Sequence, residues 1–95
     1  MNTLYRFHIG QTARDGRFVT LGDIHCALVL ADRAFGGYTL TFGKGCSQGA
    51  REETIILECY GDGAEERAAR DIRNALEIQA NQETVLLVKM PMEIL

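Results

Sequence analysis

A single α+β domain, a four-stranded antiparallel sheet with two helices on one face, is the fold class this sequence predicts. Three observations predict it. Hydrophobic periodicity alternates between strand and helix in the order strand, helix, strand, strand, helix, strand; glycines, one proline and capping residues punctuate each switch; and almost no residue is left over. A chain of 95 residues suits one domain, and a globule of this size can bury roughly 60 to 70% of the surface its unfolded chain exposes.

Residues 4–9 alternate, with Tyr5, Phe7 and Ile9 on one face and Leu4, Arg6 and His8 on the other, which is the period of a half-buried strand ending at Gly10. The polar stretch 11–17 carries the turn signal Asp15-Gly16. Thr20 and Asp23 form a capping-box variant, opening a helix whose inward stripe is Leu21, Ile24, Leu28, Ala31 and Phe35. Gly36-Gly37 stops that helix, glycine being free to take the left-handed conformation of a C-cap. Tyr38, Leu40 and Phe42 alternate with Thr39 and Thr41 in a second strand, and a glycine-rich loop over 43–49 leads to its hairpin partner over 53–60. Asp62 and Glu65 form a second capping box. The helix that follows turns Ala68, Ile72, Ala75 and Leu76 inward and Glu65, Glu66, Arg67, Arg70 and Arg73 outward, with Asn81 as its C-cap. Residues 84–90 are apolar on both faces, Pro91 ends regular pairing, and residues 92–95 remain as an apolar tail. This βαββαβ order is that of the ferredoxin-like sandwich, whose strands usually pair in the order 4-1-3-2.

A hydrophobic share of 46% with a single proline argues against disorder. The net charge of −3 comes from mixed signs spread along the chain, so the field needed to hold a phosphate backbone is missing and general nucleic-acid binding is disfavoured. No stretch approaches the roughly 20 apolar residues of a membrane span, and residues 1–10 lack a basic segment followed by a long apolar run. The expectation is a cytoplasmic protein without membrane association. Cys26, Cys46 and Cys59 are odd in number and widely spaced, which fits reduced thiols. His25 and Cys26 are helix neighbours whose side chains diverge, so no metal site and no cofactor are expected.

Topology brings the 11–17 loop and the glycine-rich hairpin to one end of the sheet. Arg14, Arg17, Lys44, Gly45, Ser47 and Arg51 then form a candidate cradle for an anionic small molecule such as a nucleotide; the alternative is a solvated hairpin with no ligand. The sheet face away from the helices carries Leu4, Arg6, His8, Thr54, Ile56, Glu58 and Tyr60, together with either Val85 and Leu87 or Leu86 and Val88 from the last strand. An apolar zone of that kind predicts a two-fold homodimer with Leu4, Arg6, His8, Ile56, Glu58 and Leu87 at its interface, unless the tail folds back over the face.

His8 beside Glu58 has the composition of a general base, but no nucleophile or oxyanion motif accompanies it, and a structural cross-strand pair shared with Arg6 is the simpler reading. Cys59 alternates with Ile55 and Leu57 as a core residue, and Cys46 lies near Lys44 as an exposed thiol. Tyr5 and Phe7 alternate in phase with the core, against the stacking aromatics of an RNA-binding sheet. The leading expectation is a non-enzymatic module that binds another protein, a compact acidic regulator or inhibitor of the kind phages and mobile elements encode. A binder of an anionic metabolite is the alternative. A third is an enzyme built inside a dimeric α+β barrel, with His8, Arg6 or Tyr60 lining its cavity.

The segments Tyr5-Arg-Phe-His-Ile-Gly10, Asp15-Gly16, Phe35-Gly-Gly-Tyr-Thr-Leu40 and Gln82-Glu-Thr-Val-Leu86 resemble a small bacterial ferredoxin-like domain family of unknown function. Its members show an aromatic first strand ending in glycine, a Phe-x-Gly step into the second strand, and a closing Gln-Glu-Ser-Val-like strand. The resemblance spans nearly the whole chain and departs at residues 43–48, where the family carries a Gly-x-Gly-x-Trp type stretch. Many such relatives look exported, whereas this chain shows no signal. The resemblance implies the fold and carries over no catalytic residue.

Overall fold

The structure is a computed structural model that describes residues 2–47 and 50–95, the side chains of residues 45–52 excepted. Its elements follow the expected order: β1 (Asn2–Gly10), α1 (His25–Phe35), β2 (Thr39–Ser47), β3 (Ala50–Gly61), α2 (Glu66–Gln79) and β4 (Leu86–Met92). One antiparallel sheet runs β2-β3-β1-β4, the ferredoxin-like arrangement, with β1 and β3 in the middle and β2 and β4 at the edges.

Register fixes the two faces, because residues directly opposite each other in an antiparallel pair share a face. Tyr5 lies opposite Cys59, Phe7 opposite Leu57 and Leu87, and Ile9 opposite Ile55. These residues meet Ile24, Ala27, Ala31, Ala69, Ile72 and Leu76 from the helices in one core. The aromatic ring of Tyr5 packs at 5.3 Å from that of Phe35, and its buried hydroxyl finds no hydrogen-bond partner among the described residues. Both aromatics of β1 are therefore committed to packing and are closed to a nucleobase.

The capping residues act as their chemistry requires. Thr20 N–H and its hydroxyl donate to Asp23 Oδ2 at 2.8 and 3.0 Å, while Asp23 N–H donates back to Thr20 Oγ1 at 3.3 Å. A tight turn over residues 21–24 then winds into α1. Because the box sits ahead of that turn, Leu21 projects into solvent at 57% exposure and Ala27 takes its expected place in the core. On α2 the buried residues are Ala69, Ile72 and Leu76, with Ala68 and Ala75 half-buried, one position round from the expected stripe. Gly36, at φ 75°, closes α1 in the left-handed conformation.

The hairpin differs from expectation. Residues 43–47 are strand, not loop, and pair with residues 50–54 from Gly43 opposite Thr54 to Ser47 opposite Ala50. Glycines read as breakers in isolation, but an antiparallel partner supplies the ladder hydrogen bonds regardless of side chain, so Gly43 and Gly45 are carried within an edge strand. Since β1 pairs with β3 only as far as Gly10 opposite Thr54, the hairpin beyond this point continues as a ribbon of two strands. Pairing at the other end also differs. Pro91 lies opposite Thr3 and Met92 opposite Asn2, which β4 tolerates because it is an edge strand whose outer side needs no donor.

Candidate functional site

Two regions compete, the uncovered sheet face and a cleft at the loop end. The molecule measures 38 × 27 × 18 Å; its core lies between the sheet and the two helices, and among the described residues no element packs on the second sheet face. Across that face, from β2 to β4, run Thr39, Glu58, Arg6 and Val88 in one row and Thr41, Ile56, His8 and Leu86 in the next, with Tyr60, Leu4 and Met90 below. Leu4 is buried between its neighbours at 9% exposure, whereas Leu86 and Tyr60 stand 57% and 49% exposed.

Glu58 belongs to Arg6. Arg6 Nε donates to Glu58 Oε2 at 2.9 Å and the Nη2 to Oε2 distance is 2.8 Å, while His8 lies opposite Ile56 and Leu86. The His8–Glu58 pairing considered from sequence is thus replaced by the directly opposed Arg6–Glu58 pair, since register, not proximity in composition, decides partners. Leu87 is also corrected. It packs on the helix-side core opposite Phe7, and the open face instead receives Leu86 and Val88. The tail does not fold back: Ile94 is 65% exposed and Leu95 fully so.

At the loop end a cleft of about 940 Å³ is lined by His8, Thr12, Arg14, Phe18, Glu53, Thr54, Gln82, Glu83, Thr84 and Leu86, among others. The expected anion cradle is only partly gathered there. Arg14 enters the cleft but its Nε donates to Asn81 Oδ1 at 3.2 Å. Arg17 is turned to Asp23, with a 2.8 Å ion pair, and lies 3.9 Å from Asp15. The Thr20 amide, then Arg17, hold the Asp23 carboxyl below the usual carboxylate range. Lys44 borders a separate, smaller hollow with Gln11, Phe42, Gly43 and Glu53. The side chains of Ser47, Arg51 and Cys46, and any surroundings of Gly45 beyond its strand register, lie outside the described residues. Glu53 and Glu83 bring two carboxylates to a place where sequence reading expected positive charge.

The floor of the cleft is held by Gln82, which composition alone did not single out. Its Oε1 accepts from Gly10 N–H at 3.0 Å, and its Nε2 donates to Gly10 O and Ala80 O at 3.0 and 3.1 Å. The signal that could have found it is Gly10: a Cβ there would stand 3.0 Å from Gln82 Oε1, so the glycine is what lets the amide approach.

No group of three or more histidine, cysteine or acidic side chains able to hold a metal occurs among the described residues. Cys59 is buried, and desolvation pushes its thiol up to about 12; Cys26 is exposed. No helix of the described residues is long and apolar enough to cross a membrane.

No family model matches the chain, and no curated protein matches it. Solved structures do. A phage SAM lyase in complex with S-methyl-5′-thioadenosine superposes with a TM-score of 0.68 at 14% identity, covering 94% of this chain and 80% of the lyase chain. The de novo designed protein Foldit4 superposes with a TM-score of 0.65 at 13% identity, covering 98% of this chain and all of the design. At such identities the likeness is one of fold. A natural enzyme and a designed protein share it equally.

Proposed function

We propose that the protein is a self-associating interaction module whose uncovered sheet face receives a second copy of the same chain. The observation that carries this reading is the apolar zone of Leu4, Ile56, Leu86, Val88 and Met90 around the Arg6–Glu58 pair, with no element over it among the described residues. Burying such a zone is favourable at about 25 cal/mol per Å². The charge pattern is self-complementary under a two-fold axis, since each copy offers one cation and one anion and the rotated copy can set Arg6 toward the opposing Glu58. An Ile56→Asp variant places an unpaired carboxylate in the centre of the zone. Light scattering should then report half the mass of the wild-type assembly, with the circular dichroism spectrum unchanged. A variant that keeps the wild-type mass refutes the sheet-face interface.

The cleft favours a second reading, a small neutral or cationic ligand with a flat apolar part. Phe18 and Leu86, 66% and 57% exposed, offer apolar contacts, and Glu53 and Glu83 favour a positive group over the anion expected from sequence. The lyase of like fold was solved with S-methyl-5′-thioadenosine, which supplies a first probe. A ligand at 100 times its dissociation constant adds about 2.7 kcal/mol of stability. A thermal shift with this probe that Glu53→Gln/Glu83→Gln reduces supports the reading, and an unchanged melting temperature for adenosine-type probes and inorganic phosphate alike removes it.

A further inference from the structure

The geometry points to the outer edge of β2 as a second self-association surface, on which β2 of another copy pairs antiparallel to give one continuous eight-stranded sheet. The two sheet edges are unequally protected. Each edge strand carries one lysine, but on β4 Pro91 has no N–H to offer, which discourages strand addition. β2 runs nine residues, Thr39–Ser47, without proline and with Lys44 as its one charge. It pairs with β3 on one side, and no other described element packs on it. Long, unpaired edges without proline are templates for a further strand.

The sequence of β2 also selects a partner and a register. In a two-fold antiparallel pair, residue i must face a residue of the same parity so that each sheet face continues across the junction. An axis at Lys44 would oppose two lysines, which is destabilising. An axis at Gly43 uses all nine residues: Thr39 then faces Ser47, Leu40 faces Cys46, Thr41 faces Gly45, Phe42 faces Lys44, and Gly43 faces itself. The cation of Lys44 meets the aromatic Phe42, a pairing that favours strand association. No other axis in β2 pairs as many residues without opposing like charges.

Size supplies an independent argument. Four strands about 4.8 Å apart and six residues at about 3.4 Å each give the open face a projected footprint of roughly 20 by 20 Å, toward the small end of surfaces that hold stable complexes. Edge pairing adds a backbone ladder to the sheet-face contact. Two eight-stranded sheets stacked through their open faces make a closed tetramer with three two-fold axes.

Gly43 is suited to the test because a Cβ there meets only Ile56 Cδ1, at an ordinary 3.6 Å. In a Cys26→Ser/Cys46→Ser background, Gly43→Cys should form a covalent dimer on mild oxidation or with a short bis-maleimide. Thr39→Cys should not, its two copies lying about 27 Å apart along the paired strands. Gly43→Asp, which opposes two carboxylates on the axis, should halve the mass seen by light scattering. The Gly43→Cys product should persist with Ile56→Asp added, which separates the edge from the sheet face. Cross-linking no greater at position 43 than at 39, or a Gly43→Asp protein of wild-type mass, overturns the edge pairing whatever becomes of the face.

Discussion

Gln82 shows how one side chain can substitute for a stretch of strand. Beyond His8, β1 no longer has a partner on its β4 side, since pairing there stops at His8 opposite Leu86. The Gln82 amide supplies both the acceptor and the donor that the Gly10 backbone would otherwise lack. At 8% exposure, truncation to alanine leaves these groups short of partners in a protected place, a loss of about 2 to 3 kcal/mol for three hydrogen bonds at roughly 1 kcal/mol each. Urea unfolding of Gln82→Ala should show that decrease. Gln82→Glu retains an acceptor but no donor, so it should be destabilised at neutral pH and recover part of the loss as acid protonates the carboxyl. Equal loss at every pH would mean that the Nε2 bonds contribute little.

Among the elements, α2 has the more instructive ending. Gln82 N–H donates to Glu77 O at 2.9 Å and Asn81 N–H to Ile78 O at 3.4 Å, the paired bonds of a Schellman motif with Asn81 in the left-handed position at φ 49°. Arg14 is fastened to the same residue twice, by N–H to the Asn81 carbonyl at 2.9 Å and by Nε to its side chain, so this helix end also anchors the 11–17 loop. Asn81→Val should cost about 1 to 2 kcal/mol, because a β-branched residue tolerates positive φ poorly, whereas Asn81→Gly should stay within about 1 kcal/mol of wild type. Thermal denaturation of the two variants checks the order; equal destabilisation would place the effect in the lost Arg14 contact instead. This cap was legible because asparagine at that spacing has few other uses. Leu87 and the hairpin were not. A strand apolar on both sides holds no sign of which side is in, and Gly43 and Gly45 have the composition of a loop until Glu52 and Thr54 are set opposite them.

For the molecule as a whole, element order is readable from periodicity and caps, since these are local signals that a single core then has to reconcile, whereas pairing order follows only from the topology usual for that element order. The candidate sites were less so, because a site depends on distances between segments remote in sequence. Composition makes Arg17 available for a ligand, whereas the fold commits it to an ion pair with Asp23, and Glu53 and Glu83, thirty residues apart in sequence, share a cleft with Arg14 only through the fold. The pairing of Asn2 with Met92 at one end of the β1–β4 ladder has a mechanical corollary. Force applied across those two residues pulls the strands apart crosswise, and their hydrogen bonds break one after another, like a zipper, instead of sharing the strain along the strands. The β1–β3 and β2–β3 ladders lie outside that first line of load. Under tension the protein should therefore yield first by shedding β4, exposing the edge of β1 while the three-stranded remainder still holds.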